Sequence, residues 1–239
     1  MSCSRYFFKY EGAGNDFVLF EDYDESFPIK AVRQICHRNF GVGGDGVLLL
    51  QKSKVADVKM RIFNQDGSEA TMCGNGLRCV IHHLGKPCTV ETASGLSEGE
   101  LGRATLPKAI IVKSPIPLED NLIGHLVDTG TPHLVIFTKN PPHLDIISRY
   151  RSHTNVNFAH ITKEGIHVRT FEKGVDTETL SCGTGGAAVA LLCKHLGNKI
   201  KILFTSSSLT FLFDSRGKLW MEGPTRQIFQ GNLCLENLN

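Results

Sequence analysis

Residues 64–79 read NQDGSEATMCGNGLRC, and residues 172–186 read EKGVDTETLSCGTGG. Each stretch sets one cysteine, Cys73 or Cys182, directly before a glycine-spaced turn, CGNG or CGTG, that runs into an apolar, helix-forming segment. The pattern predicts a thiol at a helix N-terminus, twice. The first N–H groups of a helix have no intrahelical partner, and the aligned peptide dipoles place about half a positive charge there. Such an end favours a thiolate and cradles an anion such as a carboxylate on bare N–H groups, with glycine letting the backbone approach closely. Two such ends facing each other would hold one carboxylate between two thiols. The carbon bonded to it could then lose a proton to one sulfur and gain one from the other on the opposite face. A single cysteine before a glycine turn is more often a packing residue. The recurrence is what favours chemistry.

The repetition extends outward from the cysteines. GAGNDFVLF at 12–20 matches DTGTPHLVIF at 128–137, which pairs Asn15 with Thr131 and Phe17 with His133. VKMRIFN at 58–64 matches IHVRTFE at 166–172, which pairs Arg61 with Arg169, Phe63 with Phe171 and Asn64 with Glu172. Glu69 and Glu178 each stand four residues before their cysteine, and HLG recurs at 83–85 and 195–197, which makes the second helix about one turn longer. Matches that stay in order while their spacing drifts are those of a diverged duplication. The expected fold is α/β of the α+β kind: two pseudo-symmetric duplicated domains, each a mostly antiparallel or mixed sheet wrapped around a central helix, with the active site in the cleft between them. The expected boundaries are 1–115, carrying Cys73, and 116–239, carrying Cys182, with SPIPLED as the connection and the last strand free to cross back to the first domain.

Local signals fill in the rest. RYFFKYEGAGNDFVLFEDY reads as two short strands around a turn, with Asn15 at a strand start. Pro28 opens a helix expected to run to about Arg38, followed by the glycine loop FGVGGDG. Gly41, Gly43, Gly44 and Gly46 lead into the apolar strand VLLLQ and not into a helix, which excludes a dinucleotide loop. Glu69 and Glu178 read as helix caps.

Composition narrows the function classes. With 239 residues and 41% hydrophobic content the chain can build real cores without staples. Its eight cysteines, at 3, 36, 73, 79, 88, 182, 193 and 234, include no CxxC pair, so metal binding is not expected. Free thiols and the lack of a leader pattern predict a reduced, cytoplasmic protein. A net charge of +2 with interspersed signs argues against nucleic acid, and no apolar run is long enough to cross a bilayer. A small anionic substrate fits better, and a homodimer is compatible with the sequence.

GAGNDF, NQDGSE followed by CGNGLRC, TPH, NVNF and ET.SCGTG stand in the order found in diaminopimelate epimerases, and the chain resembles that family over essentially its whole length. The resemblance implies a two-base epimerase that needs no cofactor, interconverting L,L- and meso-2,6-diaminopimelate in lysine and peptidoglycan precursor biosynthesis. It implies Cys73 and Cys182 as acid and base, and Gly74, Asn75, Gly183 and Thr184 as the cradle of the reacting carboxylate. It further implies His133 and Glu172 as tuners of the thiols, and Asn15, Asn64, Asn155, Glu172 and Lys173 as substrate-binding residues. Read without the resemblance, His133 suits a structural histidine as well as a catalytic one, and Asn64 and Asn155 suit turns.

Three positions depart from the family pattern: Gly46 replaces a glutamine, Thr131 an asparagine and Lys173 an arginine. Arginine clamps a carboxylate with a fixed fork, whereas lysine offers a mobile point charge. The loop GVDTET is also one residue longer. These changes predict relaxed recognition of the distal end of the substrate. The competing readings are a racemase of glutamate, aspartate or a proline-type amino acid, a binding protein that kept the fold without catalysis, and a thiol redox switch. Two intact cysteines and the MCGNGLRC string favour the epimerase.

Overall fold

The computed structural model describes residues 4–139, 144–151, 153–173, 178–179 and 181–234. In chain order the first elements are β1 (Ser4–Gly12), β2 (Asn15–Glu21), α1 (Val32–Cys36), β3 (Gly46–Gln51), β4 (Val58–Asn64), β5 (Glu69–Ala70), α2 (Gly74–Leu84), β6 (Cys88–Thr92), β7 (Gly95–Glu100) and β8 (Arg103–Thr105). There follow β9 (Ile110–Pro117), β10 (Ile123–Asp128), β11 (Pro132–Phe137), α3 (Leu144–Arg151), β12 (Asn155–Ile161), β13 (Ile166–Phe171), α4 (Gly183–Leu192), β14 (Lys199–Leu203), β15 (Ser208–Phe213), β16 (Leu219–Glu222) and β17 (Thr225–Cys234). The chain divides into two compact units, residues 1–104 with 224–239, and residues 105–223.

In the first unit the strands lie in the order β17, β1, β2, β3, β4, β6, β7, β8, with β5 beside the end of β4. Only β2–β3 and β4–β6 are parallel. A parallel pair needs a crossover, and α1 and α2 supply the two. The second unit repeats this row as β9, β10, β11, β12, β13, β14, β15, β16, again parallel only at the third and fifth pairings, β11–β12 and β13–β14. A bridge between Thr170 and Thr179 takes the place of β5.

One helix fills each sheet. α2 packs against β1, β2, β3, β4, β6, β7 and β17, and α4 against β9, β11, β12, β14, β15 and β16. Leu77, Val80 and Ile81 of α2 are fully buried, each side chain contributing about 1.5–3 kcal/mol. α2 stops at Gly85, whose φ of 66° is a left-handed cap that a glycine adopts without strain. α4 is built of small residues because two rings press on it: a Cβ at Gly186 would lie 2.9 Å from both Phe204 Cζ and Phe211 Cε2. A second apolar layer in the first unit gathers Val18, Phe20, Val32, Ile35, Val47 and Leu49, and in the second Leu134, Ile136, Ile147 and Phe158.

Several expectations need correction. The Pro28 segment forms a 3-10 turn at Ile29–Ala31 and then only the short α1. It ends at His37, which is extended and turns its ring back to accept from the N–H groups of Asn39 and Phe40 at 3.1 Å each. SPIPLED is not a linker, since its first four residues belong to β9, which pairs with β10. Ser114 and Pro115 fall where the register slips between Gly124 and Leu126, a bulge that tolerates the missing N–H. Residues 105–115 therefore belong to the second unit; the last strand, β17, does pair back to β1 of the first. The extra turn after α4 is 3-10, at Lys194–Leu196. The longer loop GVDTET lies largely outside the described residues.

Candidate active site

Each unit carries one half-site at the N-terminus of its central helix. Cys73 is the N-cap of α2, extended at φ −144°, and its sulfur accepts from the Gly76 N–H at 3.4 Å. Its thiol lies 3.8 Å from Asn15 Oδ1. Asn15 opens β2 and is held by its amide, which donates to Asp45 Oδ2 at 2.7 Å. Asp45 and Asp16 both bond Arg38 at 2.8 Å, and Lys9 bonds Asp16 at 2.5 Å, so the glycine loop is pinned to β1 and β2 by charge. Partial burial opposes ionisation of Asp16, but Arg38 and Lys9 outweigh it and hold the carboxyl well below the usual range.

Asn75 has its side chain turned into the protein. It is 2% exposed, and its Oδ1 accepts from Arg78 Nη2 at 3.1 Å, which leaves its backbone N–H as the group at the helix end. Arg78 is itself buried, with no hydrogen-bond partner for Nε or Nη1 among the described residues, and burial pulls its pKa down. Asn64 caps the turn after β4, donating to Ser68 Oγ at 3.0 Å. A Cβ at Gly46 would sit 2.5 Å from the Phe63 carbonyl oxygen, so the strand pairing leaves no room there for a side chain.

In the second unit Cys182 is the N-cap of α4, extended at φ −117°, and its sulfur accepts from the Gly185 N–H at 3.4 Å. The Thr184 hydroxyl lies 3.4 Å from the same sulfur. Burial, and then the Glu172 carboxyl hydrogen-bonded to it, push the Cys182 thiol well above its ordinary value, while Thr184 and Gly185 pull the other way. Burial likewise raises Glu172, against its bonds with Cys182 and Thr179. Asn155 Oδ1 accepts from the Lys173 N–H at 2.9 Å and so shapes the turn that carries Glu172.

His133, the second residue of β11, is fully buried, and burial pushes it down to about 4. Its Nε2 lies 3.0 Å from the hydroxyls of both Thr131 and Thr184, and Asn157 Nδ2 lies 3.0 Å from its Nδ1. Thr131 therefore sits beside His133.

Glu69 and Glu178 do not cap the helices. Each cysteine already does so, and each glutamate pairs across strands: Glu69 with Arg61 at 2.8 Å and Glu178 with Arg169 at 2.7 Å. Both arginines also stack on the phenylalanine two residues on, Phe63 or Phe171.

Sequence reasoning missed Arg78, Asp45, Arg38, Asn157 and Thr170. Asn157 left a signal, since it alternates with Asn155 as a polar residue flanked by Val156 and Phe158 in a buried strand. The twin units sharpen it. Phe17 faces Gly46 as His133 faces Asn155, and Leu48 faces Ile62 as Asn157 faces Thr170. The first unit thus places Phe17, Leu48 and Ile62, all buried, where the second places His133, Asn157 and Thr170.

Among the described residues no group of three or more His, Cys, Asp or Glu side chains is placed to hold a metal ion, and no helix is long and apolar enough to cross a membrane.

The chain is similar to known proteins over nearly its full length. A family model described as diaminopimelate epimerase matches residues 7–110. A diaminopimelate epimerase of Archaeoglobus fulgidus is 36% identical over 97% of each chain, and one of Methanothrix thermoacetophila is 37% identical over 94% of each. Among solved structures, a hydroxyproline epimerase from Agrobacterium vitis aligns with a TM-score of 0.70 at 13% identity, over 98% of this chain and 93% of that one. A phenazine biosynthesis protein of the PhzF family from Bacillus anthracis aligns with a TM-score of 0.64 at 16% identity, over 96% and 99%. At these identities the structural likenesses speak to the duplicated fold.

Proposed function

Because the chain belongs to the diaminopimelate epimerase family, we propose that it interconverts L,L- and meso-2,6-diaminopimelate by proton transfer at one α-carbon, with Cys73 and Cys182 as the two bases. The observation that carries this reading is the repeated cap: two cysteines, each accepting an N–H at 3.4 Å at the start of its unit's central helix. An α-proton is weakly acidic, so its removal needs a thiolate and preorganised donors for the charge that develops on the carboxylate. The N–H groups of Gly74, Asn75, Gly183 and Thr184 are those donors, and no cofactor enters the scheme. The mechanism requires both thiols at one carbon, one ionised and one protonated, so the pair titrates as a unit.

The halves differ in charge. Glu172 stands beside Cys182, and the buried Arg78 stands in the helix that Cys73 caps. Cys182 is thus the proton-bearing partner at rest, and Cys73 removes the first proton. Asn15, Asn64, Asn155 and Lys173 bind the remaining polar groups of the substrate, with Lys173 giving a looser hold than arginine. We place the activity in the cytoplasm, where thiols stay reduced.

The test is proton NMR of the reduced protein in D₂O with L,L-diaminopimelate, beside L-glutamate, L-aspartate and L-proline. Deuterium entering diaminopimelate, and lost in Cys73→Ala and Cys182→Ala, is the expected result, and entry into the other amino acids as well would show relaxed recognition. Exchange confined to another amino acid would assign the chain to a racemase instead.

A further inference from the structure

We infer that Thr170, Asn157, His133 and Thr184 form a one-way hydrogen-bond relay that ends on the Cys182 sulfur, with Asn157 as the positioning residue that sets its direction. The inference rests on Cys182 being one of the two bases.

The direction follows from one group that can act in only one sense. Asn157 Nδ2 faces the Leu134 carbonyl at 3.4 Å, which only accepts, and Thr170 Oγ1 donates to Asn157 Oδ1 at 3.0 Å. The Leu134 carbonyl sets the amide orientation, and the Thr170 hydroxyl, able to act in either sense, donates to the oxygen. Nδ2 then donates to His133 Nδ1, so that nitrogen carries no proton. A neutral imidazole bare at Nδ1 is protonated at Nε2, where two hydroxyl oxygens, of Thr131 and Thr184, wait at 3.0 Å. With its lone pair engaged by the histidine, Thr184 has its own hydrogen free for the sulfur at 3.4 Å. A donor to sulfur favours the thiolate. Thr131 shares the histidine proton and belongs to the same device.

The twin unit is an internal control. It folds the same row of strands with Phe17, Leu48 and Ile62 at the three equivalent positions, so the polar row is not needed to build the sheet. Its role is local to Cys182. That sulfur faces the Glu172 carboxyl, and His133 faces Asp128, which is bonded by Lys108 at 2.5 Å and by the Gly130 N–H at 2.9 Å. The relay offsets burial and Glu172 enough for Cys182 to act as a base in the reverse direction.

Two measurements on the full-length protein without substrate decide it. The first is long-range proton–nitrogen NMR, with the His133 ring identified by its loss in His133→Phe. The relay gives a bare Nδ1 and a protonated Nε2, constant from about pH 6 to about pH 9; a protonated Nδ1 would overturn it. The second is the rate of Cys182 alkylation by iodoacetamide in a Cys73→Ser background, read by peptide mass at fixed pH. Thr184→Val should slow it about tenfold, the effect of about one pKa unit from a lost bond to a charged group. Thr184→Ser should restore it. The combined His133→Phe, Asn157→Leu, Thr170→Ile variant, which borrows the twin's residues, should behave as Thr184→Val does. An unchanged rate in Thr184→Val sinks the relay whether or not the combined variant folds. A chain that passes both tests but exchanges no α-proton would instead refute the proposed function.

Discussion

At Cys182 two influences oppose each other. Burial and Glu172 hold the proton on sulfur, while Thr184 and the Gly185 N–H favour its loss. Glu172→Gln should therefore lower the apparent pKa of this thiol and speed its alkylation at neutral pH, while slowing the epimerase because both cysteines then tend to ionise. His133 makes a separate prediction about stability. Its folded pKa of about 4 lies below the ordinary 6.5, so between these values the unfolded chain binds the extra proton. Stability from this group is present above about 6.5 and is lost as pH falls towards 4. Urea midpoints measured across that window should decline in the wild type and flatten in His133→Phe; equal slopes would refute a buried neutral histidine. The two cysteines were legible in the sequence because a cap is a local pattern. The His133 network was not, since its four residues span 51 positions of chain and meet only through strand register and the helix end.

At the scale of elements, each helix start depends on a glycine that lets a strand pass close beneath it. A Cβ at Gly185 would lie 2.2 Å from Asn157 Oδ1, whereas one at Gly76 would lie 2.9 Å from Leu48 Cδ2, the mobile tip of a side chain. Gly185→Ala should cost about 1–3 kcal/mol and disturb the histidine, and Gly76→Ala distinctly less. Urea denaturation compares the two, and a smaller loss for Gly185→Ala would contradict the packing. Strands such as VKMRIFN were readable to the residue because their alternation is strong. The glutamates were misread because an acidic residue close in sequence to a helix start suggests a cap whether or not its side chain reaches the helix. Only the pairing of β4 with β5, and of Thr170 with Thr179 in the second unit, distinguishes the two cases.

For the whole molecule, the duplication and a last strand free to return to the first domain were visible in sequence, but the place where β9 leaves for the second unit was not. β9 follows β8 in the chain yet opens the row of the second unit, and β17 follows β16 yet opens the row of the first. A boundary drawn from prolines and charges cannot see this, because it depends on which strand pairs with which. Residues 105–223 produced alone should unfold cooperatively in urea. Residues 1–115 should not, until a peptide covering 224–234 is supplied. Cooperative unfolding of 1–115 by itself would show that β17 is dispensable. At the level of the substrate, Lys173→Arg should tighten binding of diaminopimelate, measured as a lower KM; an unchanged KM would remove Lys173 from distal recognition.

The exchanged strand also orders events during synthesis. Domains usually complete themselves from the N-terminus as the ribosome delivers them, but here the sequence reverses. The second unit is whole once residue 223 has emerged, while β1, made first, waits for β17 with one edge unpaired. For that interval the nascent chain carries an open strand edge, the feature most prone to pair with a neighbouring chain. Until β17 is made, that edge is the part of the chain most in need of shielding.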